Sequence, residues 1–395
     1  MLTFTPLIPK KYHKPPFTVK LLQVVLPRIL LLCNGLLITA LLLSAWLPFM
    51  SPHQWWPSGF AGLLFPILLA LTVLFIPIWA VYRKWYYWIS VAAIILCWKA
   101  ILVSFSIRWP QQLAVGRPEA PRFTIMTFNT SSMGVKGYQL DKELHASILH
   151  TLREASPDVL CMQEFYTNDD PKLTDNIAAI QDRLGYPYYF FTSDKTQWNT
   201  WHYGIVLFSR YPVIHTRKIP CGYSIAGSGS SILEADMVIY GDTVRVYTAQ
   251  LRSYMFNGAE LSQLNAIKTM NGGQAGLSAT GSLVDKMRHT FTARAAQTEQ
   301  LHDLADQSPY PVIVCGDLND TPVSYTYYTL SQHLRDAFLE KGSGIGRTLS
   351  FLSPTLRIDY FLAHSNFNIH GYRTFENAMF EHFPVMASFS LKKPD

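Results

Sequence analysis

Pro311-Val-Ile-Val-Cys-Gly-Asp-Leu-Asn-Asp-Thr-Pro322 is the stretch on which the reading of this chain turns. A short run of apolar and β-branched residues meets two acids and an amide, Asp317, Asn319 and Asp320. That pattern predicts a buried strand opening into a polar loop. Burial fixes the strand, and the strand holds Asp317 and Asn319 at its carboxyl end, where an exposed loop stands on a rigid base. A plain Gly-Asp turn after a strand would look the same in isolation, so the weight comes from other stretches of the same form.

Polar residues recur where apolar runs end. Asn129 follows Phe-Thr-Ile-Met-Thr-Phe, Glu164 follows Val-Leu-Cys-Met-Gln, Asp359 lies in Arg-Ile-Asp-Tyr-Phe-Leu, and Glu381-His382 precede the last apolar run. Strands are expected at Phe123–Asn129, Val159–Gln163, Gly204–Ser209, Leu233–Tyr240, Val244–Gln250, Pro311–Cys315, Ile358–Ala363 and Val385–Leu391. Helical periodicity marks Asp141–Ala155, Leu173–Leu184 and Asp285–Ala305. Several later strands are joined too closely for helical crossovers, so the sheets should be mixed. The expected architecture is two packed sheets with helices outside.

The 395 residues are 49% hydrophobic and only 15% charged, and neither property is evenly spread. Up to Glu119 there are 10 Lys+Arg and 1 acid, a net of +9; from Ala120 onward there are 23 and 26, a net of −3. The C-terminal part therefore lacks the basic excess expected of a nucleic-acid-binding domain. Duplex nucleic acid is therefore not the favoured partner.

Arg28–Leu47, Gly59–Tyr82 and Tyr87–Ile107 are apolar runs long enough to cross a hydrocarbon core. Tryptophans and tyrosines such as Trp46, Trp56, Trp85 and Trp88 cluster near their ends. Three spans are expected, in an anchor over residues 1–109, followed by a Pro-containing linker at 110–121 and a domain over 122–395. Lys10, Lys11, Lys14, Lys20 and Arg28 precede the first run, the next connection has no Lys or Arg, and Arg83 and Lys84 lie in the one after. The positive-inside rule then places the N-terminus in the cytoplasm and the domain on the extracytoplasmic side. Five cysteines form no disulfide framework.

Carboxylate and amide oxygens without a Cys or His cluster of zinc spacing suit Mg²⁺ or Mn²⁺. A histidine beside an acid suits a general base or a phosphate donor. Together these groups point to metal-assisted attack of water on a phosphate ester.

Phe123 to Leu391 resembles the endonuclease/exonuclease/phosphatase superfamily, which includes pancreatic deoxyribonuclease, apurinic endonucleases, neutral sphingomyelinases and inositol polyphosphate phosphatases. The likeness lies in Thr-Phe-Asn129, Gln-Glu164, Gly-Ile-Val-Leu-Phe-Ser-Arg-Tyr-Pro212, Gly-Asp317-Leu-Asn319-Asp-Thr-Pro, Arg-Ile-Asp359-Tyr and Glu381-His382-Phe-Pro-Val, in the family's order. The resemblance implies a four-layer α/β sandwich, two packed mixed β-sheets flanked by helices, here preceded by a three-helix transmembrane region in a bacterial-type member. It further implies a Mg²⁺- or Mn²⁺-dependent phosphoesterase. Glu164 would be the principal metal ligand, joined by Asn129 and Glu381. Asp317 would orient or deprotonate the attacking water, Asn319 would stabilise charge on the phosphoryl oxygens, and Asp359 would orient His382 against the phosphate.

Two positions depart from the family pattern. Gln250, in Val246-Tyr-Thr-Ala-Gln250-Leu, stands where many hydrolytic members carry histidine. An amide can donate a hydrogen bond to phosphate or substrate but cannot deliver a proton. Glu381 stands where the family usually has aspartate before the last histidine, and its extra methylene moves the carboxylate by more than the roughly 0.5 Å a catalytic constellation tolerates. Three functional readings follow: a membrane-anchored phosphodiesterase or phosphomonoesterase, a membrane-anchored nuclease, and a degenerate member that binds phosphorylated ligands or serves as a scaffold.

Overall fold

The computed structural model describes residues 25–107, 121–170, 172–222, 229–254, 275–351 and 355–392. The lysines ahead of Arg28 and nearly all of the 110–121 linker lie outside them. By Cα packing the chain forms two compact units: the residues up to Leu43 with Phe65–Trp98, and Ser44–Leu64 with Lys99–Asp395.

The first unit is built from apolar helices. Helix α1 (Leu26–Trp46) and helix α2 (Ala61–Val81) are long and apolar enough to cross a membrane. The third run is not one straight helix: α3 (Tyr87–Leu96) and α4 (Trp98–Ser104), whose residues from Lys99 on belong to the second unit, meet at Cys97 with a 66° bend and qualify only when counted together. Two to three helices are therefore long and apolar enough to span. Asn34 and Ser90, both buried, exchange hydrogen bonds at 3.1 and 3.2 Å, a polar link of the kind that holds helices together in lipid.

The second unit contains two mixed β-sheets with flanking helices. Its strands are β1 (Phe123–Asn129), β2 (Val159–Asn168), β3 (Tyr188–Phe191), β4 (Lys195–Gln197), β5 (Trp201–Ser209), β6 (Val213–Pro220), β7 (Ser231–Ile239), β8 (Asp242–Gln250), β9 (Val312–Asp317), β10 (Leu334–Asp336), β11 (Asp359–His364), β12 (Phe367–Thr374) and β13 (Val385–Leu391). One sheet has the order β12-β13-β1-β2-β5-β3, with β4 also on β5; the other runs β10-β11-β9-β8-β7-β6. Pairs β1/β2 and β8/β9 are parallel, and the remaining neighbours are antiparallel. Outside the strands lie helices α5 (Lys142–Ala155), α6 (Asn176–Leu184), α7 (Ala275–Asp306), α8 (Tyr325–Leu330) and α9 (Ala337–Lys341).

Strand alternation sorts the apolar residues into three layers. Phe123 and Ile125 of β1, Ile313 and Cys315 of β9 and Phe361 and Ala363 of β11 meet between the sheets. Met126 and Phe128 of β1 point outward instead, onto Leu144, Ile148 and Leu152 of α5. Val312 and Val314 of β9, with Leu362 of β11, pack with Leu301 of α7 and Tyr327 of α8. Strands covered on both faces read as continuous apolar runs, which is why the central ones are conspicuous in sequence. Asp141, Asp175 and Ser324 cap α5, α6 and α8 through side-chain bonds to backbone N–H groups.

Ser44–Leu64, the connection between α1 and α2 with the adjoining turn of each helix, belongs to this same unit. Phe49 stacks on Tyr328 at 4.4 Å, Phe60 meets Phe291 edge-on at 5.0 Å, and the Ser51 hydroxyl donates to Glu299 at 3.2 Å.

Candidate active site

The inward-facing rows of the two sheets end in polar residues, and those rows converge. In β9 the row Ile313, Cys315 ends at Asp317; in β1 the row Phe123, Ile125, Thr127 ends at Asn129; β8 ends at Gln250. Register places Asp317 between Gln250 of the parallel strand β8 and Asp359 of the antiparallel strand β11. Gly316 makes that approach feasible. Its φ is +137°, and a Cβ there would overlap the Ala249 carbonyl oxygen, so a side chain is excluded on both grounds.

Glu164 arrives by a different device. Alternation along β2 would turn it outward, but the β2/β5 register shifts between Met162 and Phe165 and Glu164 takes φ +47°. A bulge of this kind re-aims a side chain at a backbone cost of roughly 1–3 kcal/mol. Below it, buried Gln163 donates to Thr127 and Thr248 at 2.9 Å each, tying the two sheets together under the site.

The resulting network is tight. Asn129 Nδ2 donates to Asp317 Oδ2 at 3.0 Å and to Glu164 Oε1 at 3.3 Å, and Gln250 Nε2 donates to the same Glu164 oxygen at 2.6 Å. Asn319, at φ +52°, donates its backbone N–H to Asp317 Oδ1 at 2.9 Å. Both protons of its amide are engaged, on Asp317 Oδ2 at 3.0 Å and the Leu251 carbonyl at 2.9 Å. His382 Nδ1 lies 3.2 Å from Asp359 Oδ2, and its Nε2 lies 4.0 Å from Asp317 Oδ2. Thr348 Oγ1 accepts from the Ile358 and Asp359 N–H groups and fixes that strand end.

Burial raises the Asp317 carboxyl from its ordinary 3.8 to about 7; the Asp359 charge adds to this, while His382, the Asn129 amide and the Asn319 N–H oppose it. Burial alone would lower His382, but Asp359, Asp317 and Glu164 override it and raise the imidazole to about 10. The two carboxyls therefore favour the charged imidazole over the neutral one.

Asn129, Glu164, Gln250, Asp317, Asn319, Asp359 and His382 thus share one connected polar cluster. Glu381 does not join it. Its carboxylate sits 2.9 Å from Lys136 Nζ and 3.4 Å from the Ser131 hydroxyl, with its side chain 44% exposed. The extra methylene of glutamate is spent in a surface ion pair. Asp320 holds the loop: it accepts from Thr326 Oγ1 at 2.8 Å and faces buried Arg294 at 3.4 Å, and Arg294 in turn donates to the Arg252 carbonyl. Gln297 bridges strand ends, donating to the Gly229 and Cys221 carbonyls and accepting from Arg252 N–H. Thr348, Ser131 and Lys136 escape sequence reasoning because nothing in their local pattern marks them.

The model of the endonuclease/exonuclease/phosphatase family matches residues 126–381, well over half of the chain. The chain belongs to that family. A second model, described as a domain of unknown function (DUF8431), matches residues 27–104. No curated protein matches the chain. Among solved structures, the human Nocturnin catalytic domain with bound sulfate shares 18% identity at a TM-score of 0.49, covering 69% of this chain and 94% of that one. A family member from Beutenbergia cavernae DSM 12333 gives 18% and 0.45, covering 68% of this chain and 72% of that one. TDP2 of D. rerio, humanized by 14 mutations, gives 14% and 0.48, covering 68% of this chain and 99% of that one.

Members of this endonuclease/exonuclease/phosphatase family are typically Mg²⁺-dependent, and the donor set here fits a hard cation. One ligand atom each from Asp317, Asp359 and His382 lies within 4.8 Å of the others. Asp359 Oδ1 is buried and has no hydrogen-bond partner among the described residues, so an acceptor atom at the cluster remains available.

Proposed function

We propose that the chain is a membrane-anchored, Mg²⁺- or Mn²⁺-dependent phosphoesterase whose domain, over residues 122–395, faces the extracytoplasmic side. The observation that carries this reading is the convergence of Asn129, Glu164, Gln250, Asp317 and Asp359 from two different sheets, with His382, onto one buried cluster. Glu164 and Asn129 are the proposed metal-binding side; the Asp317–Asp359–His382 group would take a cation only with its imidazole neutral, so it is assigned proton and charge chemistry instead. A cation bound there supplies Lewis-acid polarisation of a phosphoryl oxygen and a lowered pKa for bound water.

The remaining chemistry belongs to the side chains. Asp317 orients the attacking water and takes its proton, its carboxyl being poised near neutrality. His382, held as a cation by Asp359, neutralises charge on the phosphoryl oxygens. Asn319 positions Asp317 and reaches the phosphate only by releasing one of its two amide bonds. Gln250 donates to Glu164 and supplies no proton, so the leaving oxygen takes its proton from water or from His382. The substrate is a small or lipid-borne phosphate ester. A binding protein without turnover is the second reading, favoured by Gln250 and by the diversion of Glu381 onto Lys136.

The detergent-solubilised full chain should hydrolyse bis(p-nitrophenyl) phosphate with Mn²⁺ or Mg²⁺, and excess chelator should stop it. Absence of turnover across a broad phosphoester panel, with the chain folded and metal present, would leave only the binding reading.

A further inference from the structure

Strand direction assigns every site residue to one end of the domain. Asn129, Gln250 and Asp317 close the parallel strands β1, β8 and β9, and Asp359 opens the antiparallel strand β11. The segments of this unit that lead into and out of the apolar helices contact residues next to that end. At Gly62, in the first turn of α2, a Cβ would overlap the Val323 carbonyl and Thr321 Oγ1, just beyond Asn319. Phe49 lies on Tyr328 of the following helix. On the exit side, Arg357 Nη2, two residues before Asp359, donates to the Val103 carbonyl at 2.9 Å. Ser106 and Gly344 exchange backbone bonds at 2.9 and 2.8 Å.

The same end carries an exposed aromatic cap. Trp201 opens β5 opposite Asn168, four residues beyond Glu164. Trp198 packs on Trp201 at 5.4 Å, and Tyr138, on the turn that follows Asn129, packs on Trp198 at 4.7 Å. Gln197 donates to the Tyr138 hydroxyl at 3.1 Å and joins the two turns. Tyr138 and Trp198 are each 58% exposed, and both hold left-handed backbone, φ 65° and 50°. A bulky ring at positive φ is a costly way to build a turn, and here it presents rings to the outside. Lys136, 60% exposed in its side chain, stands beside them. Tryptophan, tyrosine and lysine together form the combination that settles at a membrane–water interface.

We propose that the end of the domain bearing the candidate active site docks on a lipid surface, with Tyr138 and Trp198 seated in its headgroup layer. The occupant of the aromatic cap is thus a lipid surface. Continuity with Phe49, Gly62 and Val103, apolar-run residues that this same unit packs at that end, argues for it over a soluble partner.

Nitroxide accessibility tests this on the full chain in nanodiscs of phosphatidylcholine with a minority of phosphatidylglycerol. In a Cys33→Ser, Cys221→Ser background, labels are placed by Trp198→Cys, by Tyr138→Cys and by Tyr240→Cys. Tyr240 is exposed at the β7–β8 turn, at the opposite end of the sheet. The ratio of collisions with oxygen to those with a water-soluble nickel chelate should be on the order of fivefold higher at 198 and 138 than at 240, as an interfacial position requires. Equal ratios at all three would overturn the proposal. Hydrolysis of bis(p-nitrophenyl) phosphate by the same samples tests the phosphoesterase reading separately. Water-facing labels with turnover intact would remove only the surface, and lipid-facing labels without turnover would remove only the enzyme.

Discussion

Asp317 and His382 are charged in ways their neighbours dictate, and replacing either should separate function from folding. Asp317→Asn keeps the hydrogen bonds from Asn129 and Asn319 in reach but cannot take a proton; His382→Gln removes the buried cation. Each should lower phosphoester turnover by roughly 10²–10⁴-fold, the range of general-base and charge-stabilising groups. Asp317→Asn should melt near wild type, and a melt that collapses with activity would reassign it to structure. His382→Gln leaves Asp359 without its charged partner and should melt lower, so its turnover is compared well below its own melting temperature. Glu234 gives the contrasting case of a buried acid without catalytic duty. Burial alone would raise it, but hydrogen bonds from Arg217 and Tyr247 and the charge of Arg245 hold it below its ordinary value. A depressed folded-state value stabilises the fold above the ordinary glutamate range, and that contribution is lost as pH falls through the depressed value. Glu234→Gln should therefore lower the melting temperature at neutral pH, and the gap from wild type should close in acid. A gap that widened on acidification would contradict the assigned sign.

Elements differ in how plainly the sequence announced them. Strands β1 and β13 begin and end where their apolar runs do, because covered strands have no solvated row to interrupt the pattern. Strands β3, β6, β10 and β12, with the short β4, are not among the expected strands. Those four close the edges of the sheets, where one side meets water; β6 is half polar, and β12 carries a bulge between Ile369 and Gly371. At the site, the rows ending in Asn129, Asp317 and Asp359 were legible as strand ends. The 2.9 Å pair of Glu381 with Lys136 was not, since only tertiary structure brings them together. The resemblance gives Asn319 to the phosphate, yet its amide is engaged by Asp317 and by the Leu251 carbonyl just beyond β8, which no spacing along the chain conveys. Gly316→Ala tests the element that matters most. The alanine meets the Ala249 carbonyl at a backbone angle it resists, so the variant should lose about 2–4 kcal/mol or fail to fold. An unchanged melt would mean that β8 and β9 do not approach as described.

At the scale of the whole molecule, Arg357 is the buried cation on which the chain closes. It is fully buried, bonds Asp336 at 2.6 Å, and lies over the rings of Phe338 and Tyr360. Arg357→Met strands the Asp336 charge in a dry interior, and such losses run to about 3–5 kcal/mol. Denaturant titration of the full chain should show that drop, and Arg357→Met with Asp336→Leu should recover part of it. Phe49 against Tyr328 carries a counting consequence. A stacked pair cannot straddle a bilayer, so the connection holding Phe49 and the domain holding Tyr328 share one aqueous compartment. Between them the polypeptide must make an even number of passages. A crossing by α2 would therefore require a second crossing by the bent pair α3–α4. Reporters inserted after His53 and after Asp395 should accordingly give the same answer, outside the cytoplasm for both, and opposite answers would rule out an even count.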